Sequence, residues 1–338
     1  MNLQPSYQAA EEIMRKNASS FYAALEKIER TKFLDITAVY AFCRYADDLA
    51  DIESQSKETR LQLLNLLEED VKSLYNGSSQ RENYKKYAWW PAFENAVRIR
   101  QIPLEALLEQ IDGQKSDINF KIIEDKDNLI LYCKKVAGTV GLMLAPMLRG
   151  ENADERYGSM CEELGIAMQI TNILRDIGED LRNRNRIYIP QTFMKKYSVT
   201  RKELENLSAL PTAGQRWHSF FQPNFKVADK VVHLWEEMAL LAEYYYDKFY
   251  KHLYMFSSDA LFPVTAAAVF YQAILEEVRK NNYNCFTKRC YTNAKCKSDL
   301  LKMVASRVEQ VKRKNFNCNE GHEEKGKVNE RVQDKENL

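Results

Sequence analysis

The segment 164-LGIAMQITNILRDIGEDLRNRNRIYIP-190 sets polar positions at regular intervals within an otherwise apolar sequence. The stripe positions follow one another at steps of four, three, four and four: Gly165, Gln169, Asn172, Asp176 and Asp180. This spacing predicts a helix with a single polar stripe. Polar groups among apolar neighbours cost free energy unless they find partners. We therefore expect the stripe to line a cavity that holds a polar ligand, with a solvated helix face as the alternative.

A second acidic stripe lies upstream, in 40-YAFCRYADDLAD-51. Read as a helix, this segment projects these side chains from one face: Tyr40, Arg44, Asp47 (or its neighbour Asp48) and Asp51. Asp47 and Asp51 are one turn apart, and two such carboxylates repel each other in an isolated helix. A helix tolerates the pair if solvent surrounds it or if a cation lies between the acids. Taken alone, the segment is more typical of a solvated face.

The two stripes share one feature, a pair of aspartates one helical turn apart. If the two helices face each other across a cavity, their carboxylates can hold Mg²⁺ ions, because Mg²⁺ prefers oxygen ligands. Such ions would bind a diphosphate and stabilise the charge that develops when a carbon–oxygen bond breaks. Arginines beside the acids could pair with the remaining phosphate charge: Arg44, Arg175, Arg182, Arg184 and Arg186.

Between the two stripes, 132-YCKKVAGTVGLML-144 places two glycines within one predicted helical turn. Each glycine in a helix interior costs roughly 1 kcal/mol relative to alanine, so the pair requires a physical reason. One reason is close packing of another helix against Gly138 and Gly141. The other is a bulky apolar ligand that lies against this wall of small residues. Tyr132, one to two turns away, would bring an aromatic ring and a hydroxyl group to such a ligand.

The composition of the 338-residue chain predicts an all-α protein. Glycine (11) and proline (8) are scarce, so few residues break helices. Hydrophobic residues make up 45% of the chain, enough for a sizeable core, and the formal net charge of +1 provides no bulk attraction to nucleic acid. Apolar residues recur at helical spacing in these segments: 5–29, 33–53, 58–76, 85–100, 104–114, 127–148, 153–182, 225–255 and 258–282.

Two regions lack this helical periodicity. Residues 200–224 include 210-LPTAGQRWHSFFQPN-224, where we expect an irregular connection between helices. Residues 313–338 are polar, charged and nearly free of large apolar side chains, which is typical of disorder. The predicted organisation is one all-α domain over 1–312 and a disordered polar tail over 313–338.

Cysteine usage and apolar runs bear on the cellular location. The seven cysteines are scattered, odd in number and free of CxxC pairs, which is typical of a reduced, cytoplasmic protein. The N-terminal sequence lacks the apolar core of a secretory signal. The most apolar run, 261–275, is too short to span a membrane and predicts a buried helix. We therefore expect a cytoplasmic protein without a transmembrane anchor.

Taken together, the three segments resemble the squalene/phytoene synthase family and are most similar to bacterial dehydrosqualene (diapophytoene) synthases. The resemblance rests on the order and spacing of YAFCRYADDLAD, YCKKVAGTVG and LGIAMQITNILRDIGEDLRNRNRIYIP, and it covers about residues 5–305. It implies a single-domain, all-α isoprenoid-synthase bundle around a central cavity. It also implies Mg²⁺-dependent, head-to-head coupling of two farnesyl diphosphates, through a cyclopropylcarbinyl diphosphate, to a thirty-carbon hydrocarbon of the dehydrosqualene or squalene type.

The resemblance also assigns roles to residues of this chain. The implied metal ligands are Asp47, Asp48, Asp51, Asn172, Asp176 and Asp180. The implied catalytic residues are Asp47, Asp51, Asp176, Asp180, Tyr132 and Arg44. The implied substrate-binding residues are Ser20, Phe21, Tyr40, Arg44, Gln169, Asn172, Arg175, Arg186, Tyr188 and Tyr271. These roles agree with the two stripes, which spacing alone defines.

Three segments depart from the pattern of the family, and one of them, 25-LEKIERTKFLD-35, lacks the expected Leu-Pro and arginine. Many relatives carry a basic residue in the segment that reads 17-NASSF-21 here, where Ser19 and Ser20 offer hydrogen bonds but no charge. Near the C-terminus, relatives often have a lone arginine, and this chain offers Lys288 and Arg289. These departures concern the grip on the second diphosphate. A phosphatase-like enzyme that ionises one prenyl diphosphate and releases farnesol is therefore an alternative.

Further alternatives concern the substrate and the class of protein. A phytoene synthase would use geranylgeranyl diphosphate, and Leu25, four residues after Phe21, could affect the chain length accepted. A non-catalytic helical scaffold is the alternative outside enzymes, but it gives no reason for buried polar residues beside paired acids. The chain lacks a glycine-rich dinucleotide fingerprint, as squalene-forming relatives do, so a role for NADPH stays open.

The expected partners are few. They comprise a prenyl diphosphate substrate, no nucleic acid and no obligate protein partner. Because the product is very apolar, we expect transient peripheral contact with a membrane. Trp89 and Trp90 are candidates for that contact, but burial in the core is the favoured interpretation for both.

Overall fold

The structure, a computed structural model, describes residues 2–313 apart from 53, 79–80, 210–225, 294–295 and 297, and the side chains of residues 19, 20 and 81 are likewise not described. Every regular element in this part of the chain is helical, without a β-strand. The all-α prediction is therefore confirmed.

The helices follow one another in a single bundle. Their bounds are α1 Gln4–Asn17, α2 Ser19–Leu25, α3 Arg30–Ala50, α4 Lys57–Tyr75, α5 Arg81–Lys86, α6 Trp90–Arg100, α7 Leu104–Ile118, α8 Lys126–Cys133, α9 Thr139–Leu148, α10 Tyr157–Arg184, α11 Gln191–Lys196, α12 Arg201–Ser208, α13 Asp229–Lys251 and α14 Ser258–Lys280. A π-helical turn, Lys134–Gly138, joins α8 to α9, and a 3₁₀ turn, Leu253–Met255, precedes α14. A last helical stretch covers 298–313.

Several helices begin where the sequence offers a capping side chain. Glu29 accepts hydrogen bonds from the backbone N–H groups of Thr31 and Lys32 at the start of α3. Thr200 and Glu203 form a reciprocal capping box at the start of α12. Such caps satisfy backbone donors that a helix cannot pair internally. The cap at Glu29 therefore fixes the start of the helix that carries the first acidic stripe.

Helix α10 is the central packing element, in contact with α9, α13, α14 and the π-helical turn. Large aromatic side chains fill the core around the bundle: Trp90, Trp235, Tyr157, Tyr246, Phe33, Phe42, Phe93, Phe249 and Phe286. Trp89 and Trp90 are both buried, with exposed fractions of 5% and 0%. Their assignment to the core is confirmed, and their use as a membrane contact is excluded.

A buried ion pair holds α3 in the bundle. The Tyr7 hydroxyl of α1 and Nε of Arg100 of α6 each donate to the carboxylate of Asp35, at 2.7 Å. Asn95 in turn donates to the Tyr7 hydroxyl at 2.9 Å. A buried carboxylate requires such partners. The network ties α1 and α6 to the helix that carries the first acidic stripe.

Two predicted helices are each divided in two. Ala18, with φ −139° and ψ 51°, interrupts the helix predicted over 5–29 and separates α1 from α2. The helix predicted over 85–100 is interrupted at 87–89, just before Trp90 enters the core. Both breaks turn the chain within a continuous apolar pattern, so periodicity alone does not locate them.

The irregular connection predicted over 200–224 is wrong at its beginning, because the capping box at Thr200 starts the regular helix α12 there. The rest of that region, from 210 onward, lies outside the described residues until 226. The tail predicted to be disordered also lies outside them, except for Arg313 at the end of the last helical stretch.

Two helical stretches are long and apolar enough to cross a membrane: Lys126–Leu148 and Ser258–Lys280. The core helix of a soluble protein can have the same length and composition. The run predicted as a buried helix, 261–275, lies within α14, and most of its side chains are buried. That prediction is confirmed.

Candidate active site

A cavity of about 660 Å³ lies between α2, α3, α9, α10 and α14. Apolar side chains form most of its wall: Phe21, Leu25, Val136, Ala137, Val140, Leu144, Leu148, Leu164, Met168, Phe256, Val264 and Ala267. A wall of this kind binds hydrocarbon and disfavours water. Two tyrosines predicted for the site, Tyr40 and Tyr271, line the same cavity, and burial raises the pKa of Tyr40 to about 12.

The cavity has polar side chains where it meets the second acidic stripe. Asn172, Arg175 and Arg289 all line it. Arg175 Nη2 lies 2.5 Å from the carboxylate of Asp176, and Arg289 Nε lies 3.3 Å from the same carboxylate. The apolar cavity therefore opens directly onto the aspartates of α10.

The stripe on α10 contains a buried oxygen atom that lacks a partner. Asn172 donates through Nδ2 to Oε1 of Gln169 at 3.4 Å, but its own Oδ1 is buried and accepts no hydrogen bond. Two turns further on, burial and then the charge of Asp176 raise the pKa of Asp180 to about 7. An orphan oxygen and a destabilised carboxylate on one face both favour a nearby cation.

The first acidic stripe has a similar electrostatic character. Burial, followed by the charge of Asp51, raises the pKa of Asp47 to about 6. Arg44 partly neutralises the stripe through contacts of 3.3 Å with Asp47 and 2.5 Å with Asp48. The acids of this helix are thus close enough to repel one another, as their spacing predicts.

The fold brings the two stripes, which we call the aspartate ladders, side by side. Arg184 at the end of α10 pairs with Asp51 at the end of α3, with Nη2 2.5 Å from Oδ2. The charge of the same guanidinium also lowers the pKa values of Asp47 and Asp180 against the effect of burial. One cation therefore interacts with both ladders.

The donor set of the ladders fits Mg²⁺. Carboxylate oxygens and the free Oδ1 of Asn172 are the hard oxygen ligands that this ion prefers. In the part of the chain that the structure describes, no three His, Cys, Asp or Glu side chains are gathered as a ready metal cluster. Arginines pair with several of the acids instead, among them Asp48, Asp176 and Asp51.

Sequence reasoning missed one residue of this region, Asp117. Its carboxylate accepts hydrogen bonds from the hydroxyls of Tyr132 (3.2 Å) and Tyr188 (3.1 Å) and lies 3.5 Å from Arg186. The rings of Tyr132 and Tyr188 stack with centroids 5.0 Å apart. Burial raises the pKa of Asp117, and its charge contributes to the raised pKa of Asp180. Three predicted site residues therefore meet at one carboxylate beside the second ladder.

We expect Asp117→Asn to lower turnover by roughly 10- to 100-fold, as the loss of a supporting hydrogen-bond partner typically does. An asparagine amide has one oxygen for two tyrosine hydroxyls, and its NH₂ group faces a donor. Steady-state kinetics with a thermal unfolding curve measure the effect. Asp112→Asn, on the same helix and 58% exposed, is the control. Equal turnover in the two variants would remove Asp117 from the site.

The remaining predicted residues are placed as follows. Phe21 lines the cavity, whereas the side chain of Ser20 lies outside the described part of the structure. Lys288 bonds to Asn281 at 3.0 Å, away from the ladders, so Arg289 is the basic residue of its segment that reaches the site. Arg182 donates to the carbonyl groups of Ser208 and Phe286 and therefore has a structural role.

Close packing accounts for the glycines of the third segment. A Cβ atom on Gly141 would lie 2.1 Å from the carbonyl oxygen of Cys161, and one on Gly138 would lie 2.8 Å from Cγ of Glu162. Gly141 also lines the cavity. The two explanations are therefore compatible, because the small residues admit α10 on one side and leave space on the other.

The sequence of the chain also matches a known protein family. A sequence model described as squalene/phytoene synthase matches residues 14–295. The chain belongs to the squalene/phytoene synthase family. The resemblance drawn from the three segments is confirmed.

Individual members of the squalene/phytoene synthase family are similar over most of the chain. The 4,4'-diapophytoene synthase of Staphylococcus haemolyticus (strain JCSC1435) is 31% identical over 284 residues, covering 83% of this chain and 90% of the relative. The chloroplastic phytoene synthase of Daucus carota is 30% identical over 310 residues, covering 90% and 71%. A crystal structure of a dehydrosqualene synthase in complex with a ligand has a TM-score of 0.76 at 30% identity and covers 91% of this chain and 98% of its own.

Proposed function

We propose that the protein is a Mg²⁺-dependent prenyltransferase that couples two farnesyl diphosphates head-to-head to a thirty-carbon hydrocarbon of the dehydrosqualene or squalene type. The observation that carries this proposal is the junction of an apolar cavity with the aspartate ladders at Asn172, Arg175 and Arg289. A prenyl diphosphate is divided in the same way, into an apolar chain and a polyanionic head. Membership of a family that acts on prenyl diphosphates supports the assignment.

The proposed Mg²⁺ ligands come from both ladders: Asp47, Asp48, Asp51, Asn172, Asp176 and Asp180. Bound Mg²⁺ would supply Lewis-acid stabilisation of the leaving diphosphate. Arg44, Arg175 and Arg289 each pair with a ladder carboxylate and can exchange it for phosphate oxygens. Arg289 thereby supplies positive charge that 17-NASSF-21 lacks.

The cavity wall governs the fate of the allylic cation formed when the first diphosphate leaves. Its apolar side chains keep water away, and the nearby rings of Tyr40 and Tyr271 provide π electrons that attract a cation. The double bond of the second prenyl chain is then the nucleophile at hand. Its attack, with loss of one proton, gives a cyclopropylcarbinyl diphosphate, which ionises again and rearranges. Exclusion of water thus favours coupling over release of farnesol.

A phytoene synthase that uses geranylgeranyl diphosphate is the second candidate. The Daucus carota relative, a phytoene synthase, is 30% identical over 90% of this chain. Leu25, which the sequence singled out for chain length, is buried and lines the cavity. The size of this part of the wall would decide between the two substrates.

Incubation with farnesyl diphosphate and Mg²⁺, with and without NADPH, tests the proposal through the organic extract. A thirty-carbon hydrocarbon is expected, and the NADPH arm distinguishes a dehydrosqualene from a squalene product. Farnesol alone would contradict coupling. A parallel incubation uses geranylgeranyl diphosphate. Faster turnover of this substrate than of farnesyl diphosphate would favour the phytoene synthase. Absence of Mg²⁺-dependent thermal stabilisation by a non-hydrolysable farnesyl diphosphate analogue would favour the non-catalytic scaffold.

The proposal places the protein in the cytoplasm, with transient peripheral contact to a membrane that receives the apolar product. This location rests on the scattered cysteines, which are free wherever the structure describes them, and on the apolar character of the product. Since Trp89 and Trp90 are buried, other residues would have to make that contact.

A further inference from the structure

Arg184 makes the single ion pair between α3 and α10 in the described residues. It is the last residue of α10, and Asp51 is the C-cap of α3. The two lie 133 residues apart in sequence, and Nη2 of Arg184 donates to Oδ2 of Asp51 at 2.5 Å. This contact fastens together the two helix ends that carry the ladders.

The charge of Arg184 acts on more than Asp51. The carboxylates of Asp47 and Asp180 also lie within range of the guanidinium charge. Asp180 makes no ion pair of its own among the described residues, and the charge of Arg184 acts on it from beyond ion-pair distance. Arg184 therefore brings positive charge to both ladders, as a bound metal would.

We propose that Arg184 competes with Mg²⁺ for Asp51 and thereby couples metal binding to diphosphate binding; this inference rests on the proposed function. Mg²⁺ binds oxygen at 2.0–2.1 Å in near-octahedral geometry and keeps several waters. Nη2 of Arg184 lies 2.5 Å from Oδ2 of Asp51 and occupies the approach to that oxygen. Coordination would place two cations within a few ångströms of each other, so Arg184 must leave as Mg²⁺ enters.

A diphosphate gives the displaced guanidinium a new partner. The planar fork of arginine pairs with phosphate oxygens as well as with carboxylates. When Mg²⁺ binds alone, Arg184 therefore loses its contact with Asp51 and gains no new partner. When Mg²⁺ binds together with a diphosphate, Arg184 exchanges Asp51 for phosphate oxygens. The coupling is reciprocal, because each ligand must raise the affinity for the other by the same factor, roughly 5- to 150-fold for typical coupled sites.

The test measures Mg²⁺ binding by titration calorimetry and thermal unfolding, with and without a non-hydrolysable thiolo analogue of farnesyl diphosphate. For the wild-type chain we expect weak binding of Mg²⁺ alone and strong binding with the analogue. Arg184→Gln is expected to bind Mg²⁺ alone more tightly than the wild-type chain does. Its coupling factor, the ratio of Mg²⁺ affinities with and without the analogue, should be about tenfold smaller. Arg98→Gln breaks an ion pair with Glu94 on α6, where the arginine is 50% exposed against 41% for Arg184, and it should match the wild-type chain.

Arg184→Lys keeps the positive charge but not the fork, and it also serves if the glutamine variant does not fold. It should bind Mg²⁺ alone as weakly as the wild-type chain and show reduced coupling. Equal affinities for Mg²⁺ alone in the wild-type and Arg184→Gln chains would overturn the inference while the metal site stands. No response of the wild-type chain to Mg²⁺ with the analogue would instead overturn the proposed function.

Discussion

Replacement of Asp47 or Asp176 by asparagine is expected to lower turnover at least roughly 10²- to 10³-fold, the typical loss when one group that stabilises developing charge is removed. Asparagine preserves the shape of the side chain but offers one neutral oxygen in place of a carboxylate. Each variant therefore loses a proposed Mg²⁺ ligand, one in each ladder. Product formation from farnesyl diphosphate at saturating Mg²⁺ measures the effect.

The fold should survive these replacements, because burial destabilises the Asp47 carboxylate, and an asparagine at 176 can still accept one of the two hydrogen bonds that Arg175 donates to Asp176. Burial and the charge of Asp51 raise the pKa of Asp47 from 3.8 to about 6. The folded chain thus binds this proton more tightly than the unfolded chain, and stability declines as pH rises from about 4 to about 6. In Asp47→Asn this part of the decline disappears, so its unfolding midpoint at pH 8 should equal or exceed that of the wild-type chain.

The control for both variants is Asp154→Asn, which neutralises an aspartate paired with Arg156 just before α10. Its turnover should equal that of the wild-type chain. Near-normal turnover in Asp47→Asn or Asp176→Asn would refute the metal assignment. A fall in the unfolding midpoint in either variant would show instead that the carboxylate supports the fold.

The ladders could be predicted from sequence because their geometry is local. The spacing of Asp47 and Asp51, or of Asp176 and Asp180, fixes their relation through the helical repeat alone. Asp117 could not be found in this way, since its partners Tyr132 and Tyr188 lie on other elements. Its signal was indirect: tyrosine hydroxyls and an arginine away from solvent require acceptors, and Asp117 meets that need for Tyr132, Tyr188 and Arg186.

Arg184 illustrates the same limit. Spacing placed it among five arginines beside the ladders, and the resemblance gave it no role. The structure gives each a different partner, and only the distance between the ends of α3 and α10 directs Arg184 to Asp51. That distance depends on how the whole bundle packs. Helix breaks such as Ala18 are equally invisible to periodicity, because apolar spacing continues across them.

We expect Gly165→Ala to destabilise the fold by about 3 kcal/mol, the upper part of the usual range for overpacking. A Cβ atom at this position would lie 2.3 Å from the carbonyl oxygen of Ala137 and 2.8 Å from Cα of Gly138. The backbone of the π-helical turn cannot rotate away as a side chain can, so α10 must shift. Asn172 and Asp176 move with it, and turnover should fall together with stability. Thermal unfolding and steady-state kinetics measure both.

Gly158→Ala is the matched control on the same helix, where the nearest atom to the new Cβ is Cδ2 of Leu142 at 3.7 Å, an ordinary contact. Alanine favours a helix over glycine by roughly 0.5–1 kcal/mol, so this variant should be as stable as the wild-type chain or more so. If Gly165→Ala were equally stable, close packing would not explain the glycine. A stable Gly165→Ala chain with a raised KM would assign the position to the ligand wall instead. Loss of stability with turnover reduced in proportion would assign it to the contact between α10 and the π-helical turn.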